Sequence, residues 1–418
     1  MIFLTAEARR RRGTEGRFSA PLRLCGKKLP KTMFLCFKMT ILHKIQRSSM
    51  RQANHIWQVL LLFCTFTLSA QTDTLRLIFA GDIMGHAPQI TSAQTGKDQY
   101  DYTPCFKYVK PILEQADIAI GNLELTLPGK PPYTGYPMFR SPDALATALK
   151  KAGFDLLVTA NNHSNDAHAL GVTHTIDALR KEAFLQTGTF KNERDRSTLY
   201  PLMIYKNGFK IALLNYTYDT NGVPTEAPTV VNLIDNEQMA ADLAEARARK
   251  PHFIIVVMHW GLEYQLTENA VQREQAKFLI KNGADMVIGS HPHVVQPIRM
   301  ERVSMPDGQE KEALVVYSLG NFISNQQQPN TDGGILFQVD LLKNKGNPKV
   351  RLGEHGIIPI WRYIHKNAAG KSTYYALPVS RVERNQKLVP GMPAASQNAM
   401  LKYTEGLRKR LKYNELKI

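Results

Sequence analysis

Cysteine is scarce in this chain, with four among 418 residues. Cys25, Cys36 and Cys64 all precede residue 71, which leaves Cys105 alone in the remainder. A lone cysteine cannot build a disulfide framework, so the fold must rest on a packed core. Cys105 lies in Tyr102-Thr103-Pro104-Cys105-Phe106, where no partner pattern for a nucleophile is present, and is expected as a buried small hydrophobe. Long apolar runs are also missing. The best, Ile56 to Leu68, is too short to span a membrane comfortably. There is no internal repeat, and no convincing Ser-His-Asp or Cys-His constellation, so nucleophilic catalysis by a side chain is not indicated.

Acidic residues are outnumbered, 36 against 53 Lys and Arg, for a net charge of +17. Residues 1 to 49 carry twelve of the basic residues against only Glu7 and Glu15, so more than half of the excess lies in that stretch. No basic surface interleaved with aromatics follows it, and a nucleic-acid partner is therefore not expected. Residues 1–49 read as an unstructured leader that need not be translated. Met50-Arg51 opens a short basic segment, Ile56 to Leu68 forms an apolar stretch, and Leu68-Ser69-Ala70 resembles a small-residue cleavage site. Residues 50–70 thus read as a secretory signal peptide, with an uncleaved anchor as the alternative. The expected location is outside the cytoplasm: periplasmic, extracellular or anchored at the outer face of the membrane.

What is present is an alternation of strand and helix patterns. Apolar runs at Leu75–Ala80, Ile118–Ile120, Leu156–Thr159, Ile211–Tyr216, Ile254–Met258, Met286–Ile288, Leu314–Tyr317 and Ile335–Val339 predict strands. Helical spacing marks Leu170 to Phe184 and Glu274 to Lys281. Together they predict a layered α/β domain over residues 72–362. Residues 363–418 read as a C-terminal extension ending in an amphipathic helix over Met400 to Leu411, whose default role is to pack on the body.

Polar residues punctuate the strand ends. Leu75 to Ala80 runs into Gly81-Asp82-Ile83-Met84-Gly85-His86, and Ala116 to Ile120 into Gly121-Asn122-Leu123-Glu124. Phe154 to Thr159 leads to Asn161-Asn162-His163, Phe253 to Met258 leads to His259-Trp260-Gly261, and Met286 to Ile288 leads to His291-Pro292-His293. Sites in open α/β folds collect beyond the carboxyl ends of strands, so these residues form one candidate constellation. Asn122 and Asn161 are read as loop-shaping residues. Asp166 is read as a cap for the helix that follows it, and Asp285 as either a turn residue or a catalytic one. His168 and His174 are expected at the surface.

The ordered set Gly-Asp-Ile-Met-Gly, Gly-Asn-Leu-Glu, Ala-Asn-Asn-His-Ser-Asn-Asp, His-Trp-Gly, Ile-Gly-Ser-His-Pro-His-Val-Val-Gln and Tyr-Ser-Leu-Gly-Asn-Phe-Ile resembles the capsule-synthesis family of poly-γ-glutamate proteins, the CapA type, over roughly residues 74–335. That family is similar in fold and motif order to calcineurin-like metallophosphoesterases. The resemblance implies a layered metallophosphoesterase-like sandwich of mixed β-sheets flanked by helices. It also implies metal ligands or their neighbours at Asp82, Glu124, Asn162, His163, His259, His291 and His293. One departure stands out: Met84 occupies the place where an Asp-x-His motif would have its histidine. On this reading Asp82 and Glu124 are oxygen ligands, with Glu124 the bridge, and Asn162, His259, His291 and His293 complete the set. The expected cofactor is one or two divalent transition-metal ions, Mn, Fe or Zn. His163 is expected to handle a proton beside the metal, and Asn321 to shape the pocket or bond substrate. Two functions stay open. One is a metal-dependent hydrolase acting on an envelope polymer such as poly-γ-glutamate, or on a phosphoester. The other is a non-catalytic polymer-binding component working with membrane-bound synthesis partners.

Overall fold

The computed structural model describes residues 72–416 apart from Lys345 and Pro348. The leader and signal-segment expectations fall on residues 1–71 and lie outside the described residues. In chain order the principal strands are β1 (Thr72–Ile83), β2 (Ile118–Leu123), β3 (Leu156–Val158), β4 (Leu185–Thr187), β5 (Leu202–Lys206), β6 (Phe209–Thr217) and β7 (Phe253–His259). They continue with β8 (Met286–Ser290), β9 (Ile298–Ser304), β10 (Glu310–Val316), β11 (Asn321–Ile323), β12 (Gly333–Asn344), β13 (Val350–Lys366) and β14 (Ser372–Pro378). The principal helices are α1 (Ala144–Ala152), α2 (His168–Lys181), α3 (Asn236–Ala248), α4 (Ala270–Lys281) and α5 (Ala394–Leu411).

Two mixed sheets result. The first, eight-stranded, runs β14-β13-β12-β1-β2-β3-β4, with β11 also pairing to β1. The second, six-stranded, runs β9-β10-β8-β7-β6-β5. Each has a parallel centre and antiparallel additions: β1 to β4 are parallel neighbours, as are β6, β7, β8 and β10.

Side-chain alternation along the strands explains the stacking. On β1, Leu75, Leu77 and Phe79 point to one core, while Ile78 and Ala80 point to another. The first core also takes Leu213, Ile255, Val257, Ile288 and Val316 from the second sheet, so the sheets pack face to face. The outer face of the first sheet buries Leu145, Leu149 and Leu179 of α1 and α2, and the outer face of the second buries Met239, Leu243, Leu279 and Ile280 of α3 and α4. The arrangement is a helix–sheet–sheet–helix sandwich, the layered α/β class expected.

All eight strand runs read from the sequence are strands, each extended by a residue or more or shifted at an end. Helix α2 begins two residues before the expected start. Its buried stripe of Val172, Ile176 and Leu179 has helical spacing, and Arg180 and Lys181 in the last turn face the negative end of the helix dipole. Helix α4 starts at a capping box in which Asn269 Oδ1 accepts from Gln272 N and Gln272 Oε1 accepts from Asn269 N. Strand β13 crosses residue 362 without interruption, and β14 and α5 belong to the first sheet and the central core. Cys105 is free and buried, and burial pushes its thiol up to about 12. Among the described residues no helix is long and apolar enough to cross a membrane.

Candidate metal centre

The two sheets present the carboxyl ends of their parallel strands to one point. In the first sheet Asp82 of β1 lies opposite Asn122 of β2 on one side and Asn321 of β11 on the other. Glu124 follows β2 and the Asn161-Asn162-His163 loop follows β3. In the second sheet His259 ends β7 beside Ser290 of β8, and His291 and His293 follow at once. Asp82, Glu124, Asn162, His163, His259, His291, His293 and Asn321 are all buried.

The histidine pair is placed by unusual backbone. His291 has φ 98° and His293 φ 58°, both in the left-handed region that non-glycine residues avoid. Such conformations cost on the order of 1–3 kcal/mol each and persist where surrounding structure over-determines them. Pro292 between them fixes its own φ and limits the alternatives. The imidazole rings lie 5.8 Å apart centre to centre, and His291 is 4.8 Å from His259.

Hydrogen bonds orient the donors. His293 Nδ1 lies 3.0 Å from Asp82 Oδ2 and 3.2 Å from Asn321 Oδ1. Both neighbours are acceptors, so Nδ1 carries a proton and Nε2 is the nitrogen left to face the cluster. That Nε2 is 3.7 Å from Glu124 Oε1. Asn122 Nδ2 donates to Asp82 Oδ1 at 2.8 Å. His259 Nε2 is 2.9 Å from Asn162 Oδ1 and 3.7 Å from Glu124 Oε1. Two groups of ligand atoms each fall within 4.8 Å of one another: Glu124, His291 and His293, and Asp82, Glu124 and His259. Glu124 belongs to both.

Glu124 Oε1, His291 Nδ1 and His293 Nε2 are buried without any hydrogen-bond partner. A buried polar atom left unpaired costs about 1–3 kcal/mol, so three at one point fit a bound cation. The electrostatics agree. Burial, then the charge of Asp82, pushes Glu124 well above the carboxylate range. Burial also opposes ionisation of Asp82, but its bond with His293 and the donation from Asn122 hold it below its ordinary value. Burial, reinforced by neighbouring imidazoles, pushes His259 far down and His291 down to about 3, which keeps both rings neutral as ligands must be. At His293 burial acts in the same direction but is outweighed by Glu124, Asp82 and Glu263, and this ring is raised. Neutral His259 and His291 with the acids Asp82 and Glu124 suit a divalent transition metal, and His293 would have to give up its Nε2 proton to join them.

His163 is placed beside this cluster rather than within it. Its Nδ1 lies 2.7 Å from Asp166 Oδ2, Phe139 packs edge-on at 4.5 Å, and Asn221 Nδ2 lies 3.5 Å from Nε2. Asp166 does not cap the following helix: Oδ2 accepts from His163 and from Phe139 N at 2.5 Å, and the cap position is Ala167. Asn161 shapes the loop, donating to Leu123 O at 2.8 Å and accepting from His163 N at 3.1 Å. Asn321 spends its amide inside the protein, with Nδ2 donating to Gln326 Oε1 and Thr331 O at 2.8 Å each. Asp285 is a turn residue, accepting from Ile254 N at 2.8 Å and pairing with Lys311. Met84 is buried, and its sulfur accepts from Ser324 Oγ at 3.5 Å. His86 stands half-buried beside Phe139, pushed down to about 4 by burial.

The rim was not anticipated from the sequence. Tyr218 stacks parallel to His259 at 6.4 Å and lies 4.6 Å from His291, and Tyr264 lies 6.2 Å from His293. Glu263 reaches His293 from the solvent side, and its polar contact with that imidazole is the main cause of a value held down to about 2. The available signal was an acid and a tyrosine within five residues of a strand-end histidine.

A profile of the bacterial capsule synthesis protein family PGA_cap matches residues 76–326. The capsule biosynthesis protein CapA of Bacillus anthracis is 27% identical over 288 residues, covering 66% of this chain and 66% of that protein. The PGA biosynthesis protein CapA of Bacillus subtilis strain 168 is 30% identical over 288 residues, covering 65% of this chain and 69% of that protein. The chain thus spans about two thirds of the length of the curated relatives it matches. Among solved structures, the calcineurin-like phosphoesterase YfkN of Bacillus subtilis gives a TM-score of 0.42 at 12% identity, over 81% of this chain and 99% of that one. A 5′-nucleotidase of Candida albicans gives 0.37 at 11% identity, over 81% and 58%. Neither likeness is close enough to bear on activity. The family profile covers more than half of the chain and includes every strand end that supplies the buried cluster, and this protein belongs to the bacterial capsule synthesis PGA_cap family.

Proposed function

We propose that this protein is an exported, metal-dependent hydrolase of poly-γ-glutamate or capsule metabolism, acting on an envelope polymer or a phosphoester beside membrane-bound synthesis partners. The observation that carries the reading is the pair of buried ligand groups sharing Glu124, with three of their atoms unpartnered. Asp82, Glu124, Asn162, His259, His291 and His293 would hold one or two Mn, Fe or Zn ions. When bound, such ions supply Lewis acidity to a phosphoryl or carbonyl centre and ease deprotonation of water near neutral pH. Glu124, common to both groups, would help to hold an ion at either of them. His163 handles a proton at Nε2, because Asp166 accepts from Nδ1 and fixes the tautomer. Tyr218 and Tyr264, lying beside His259, His291 and His293, would flank a substrate on the exposed side of the cluster.

The competing reading is a non-catalytic, polymer-binding component. It draws on Met84, which puts a thioether where the first motif would carry an imidazole. Elemental analysis and turnover on a generic phosphodiester and on a γ-glutamyl polymer, measured on one purified sample, separate the two. The hydrolase reading expects bound metal, turnover, and loss of both in the double variant His291→Ala, His293→Ala. Metal without turnover selects the binding component, and unchanged metal in the double variant removes the ligand assignment. Export expects an amino terminus near Gln71 on the secreted protein; an intact Met1 terminus in the cytoplasm refutes it.

A further inference from the structure

The strand that delivers His259 continues into a loop whose first acid is Glu263. Its side chain is 43% exposed, so it approaches the buried cluster from solvent, and its Oε1 lies 3.7 Å from His293 Nε2. That nitrogen is also 3.7 Å from Glu124 Oε1. Both His293 Nε2 and Glu124 Oε1 are buried without a hydrogen-bond partner. A separation of 3.7 Å is too long for a hydrogen bond. It is close to the spacing of two ligands around one ion, since bonds of about 2.1 Å place neighbouring ligands roughly 3.0–3.4 Å apart in octahedral or tetrahedral geometry. Glu263 falls outside the two groups whose ligand atoms already lie within 4.8 Å of one another, so its exposed side chain must turn toward Glu124 as well as His293 to join their ion.

The loop is fastened where this matters. Tyr264 N donates to Pro292 O at 2.8 Å, tying the residue after Glu263 to the proline between the two histidines. Tyr264 itself is left-handed at φ 65°. Gln296 Nε2 donates to Gln265 O at 2.8 Å. The backbone beside Glu263 is therefore held by a built loop, and only the side chain has to turn to reach the ion. Met84, two residues after Asp82, offers only a buried sulfur already bonded by Ser324, so this position supplies no imidazole to the cluster.

We propose that Glu263 is a further metal ligand, an oxygen donor from the rim loop to the ion held at Glu124 and His293. This rests on the metal-centre reading above and adds a ligand that the strand ends do not contain. It also gives the centre an anionic ligand on its open side, where the other donors are enclosed.

Titration of the metal-free protein with Mn²⁺, reading free ion by its magnetic resonance signal, tests this without any assay of activity. Glu263→Gln replaces the anionic donor with a weaker, uncharged amide oxygen while keeping size and fold, and is expected to weaken the ion at Glu124 and His293 roughly 10- to 100-fold, at least the loss seen when a supporting residue is removed. Glu263→His restores a donor without the charge and should recover much of that affinity, with a shift in preference from Mn²⁺ toward Zn²⁺. Parental affinity in Glu263→Gln overturns the assignment, and so does a Glu263→His variant no better than Glu263→Gln, which would leave Glu263 as a counter-charge to His293. Failure of the underlying reading looks different: the parent takes up no ion, or the His291→Ala, His293→Ala variant binds as the parent does.

Discussion

His163 and Asp166 form a closed pair, Nδ1 to Oδ2 at 2.7 Å, with Phe139 pressed against the ring. The imidazole is thus fixed in orientation without joining either group of converging ligand atoms. A residue held in this way should be needed for rate and not for metal retention. His163→Ala is expected to keep its metal and lose roughly 10²–10⁴-fold in turnover, the usual contribution of a positioned acid or base. Asp166→Asn should also keep the metal and lose less, because the ring remains while its preferred tautomer is no longer enforced. Elemental analysis beside kcat on the same samples decides the matter. Full activity in His163→Ala removes the residue from the mechanism, and loss of metal makes it a ligand.

At the level of elements, the site depends on how closely the end of β1 approaches the turn before β11. A Cβ at Gly81 would sit 1.9 Å from Gly320 O and 3.0 Å from Gly320 C, both backbone atoms that cannot swing aside. Gly81→Ala should therefore force the strand ends apart, at a cost of about 1–3 kcal/mol typical of overpacking. It should also displace Asp82, the next residue. A lowered midpoint of thermal unfolding together with weaker metal binding is expected; parental values for both would show that the contact is not constraining. The central strands were legible in the sequence because they are buried on both faces and read as unbroken apolar runs. The converging ligands were legible for a related reason, since Asp82 and His259 are the first polar residues after such runs and Glu124, Asn162, His291 and His293 follow theirs within a few residues. Helix α3 was not, because its buried stripe is little more than Met239, Leu243 and Ala246 among charged residues. Strand β13 escaped notice because Arg351, Glu354, His355, Arg362 and Lys366 break its pattern. The register that sets Asp82 beside Asn122 and Asn321, and the rim loop with Glu263, depend on pairing between distant segments, which local periodicity does not encode.

For the molecule as a whole, the consequential feature is how the C-terminal stretch closes the sandwich. Helix α5 buries Met400, Tyr403, Thr404 and Leu407, spaced as one helical face, and three of these side chains join the core between the two sheets. An apolar face already covered by the protein is not free to lie on a membrane surface, so packing on the body is the role the structure gives it. The helix end is fastened twice. Arg408 grips Glu383 with two bonds of 2.7 and 2.8 Å and Glu415 with two of 2.7 Å, and Leu416 N donates to Ile357 O at 2.9 Å. Burying side chains of the size of Met400, Tyr403 and Leu407 contributes about 1.5–3 kcal/mol each. Their sum is comparable with the roughly 5–15 kcal/mol that separates folded from unfolded states in most domains. A chain ending before Ala394 is therefore expected to lose cooperative thermal unfolding or to aggregate, and to lose metal binding with it, although no residue of the cluster has been removed. Circular dichroism melting of the truncated and full chains checks this: a midpoint within a few degrees of the parent would show that the two sheets close without the helix.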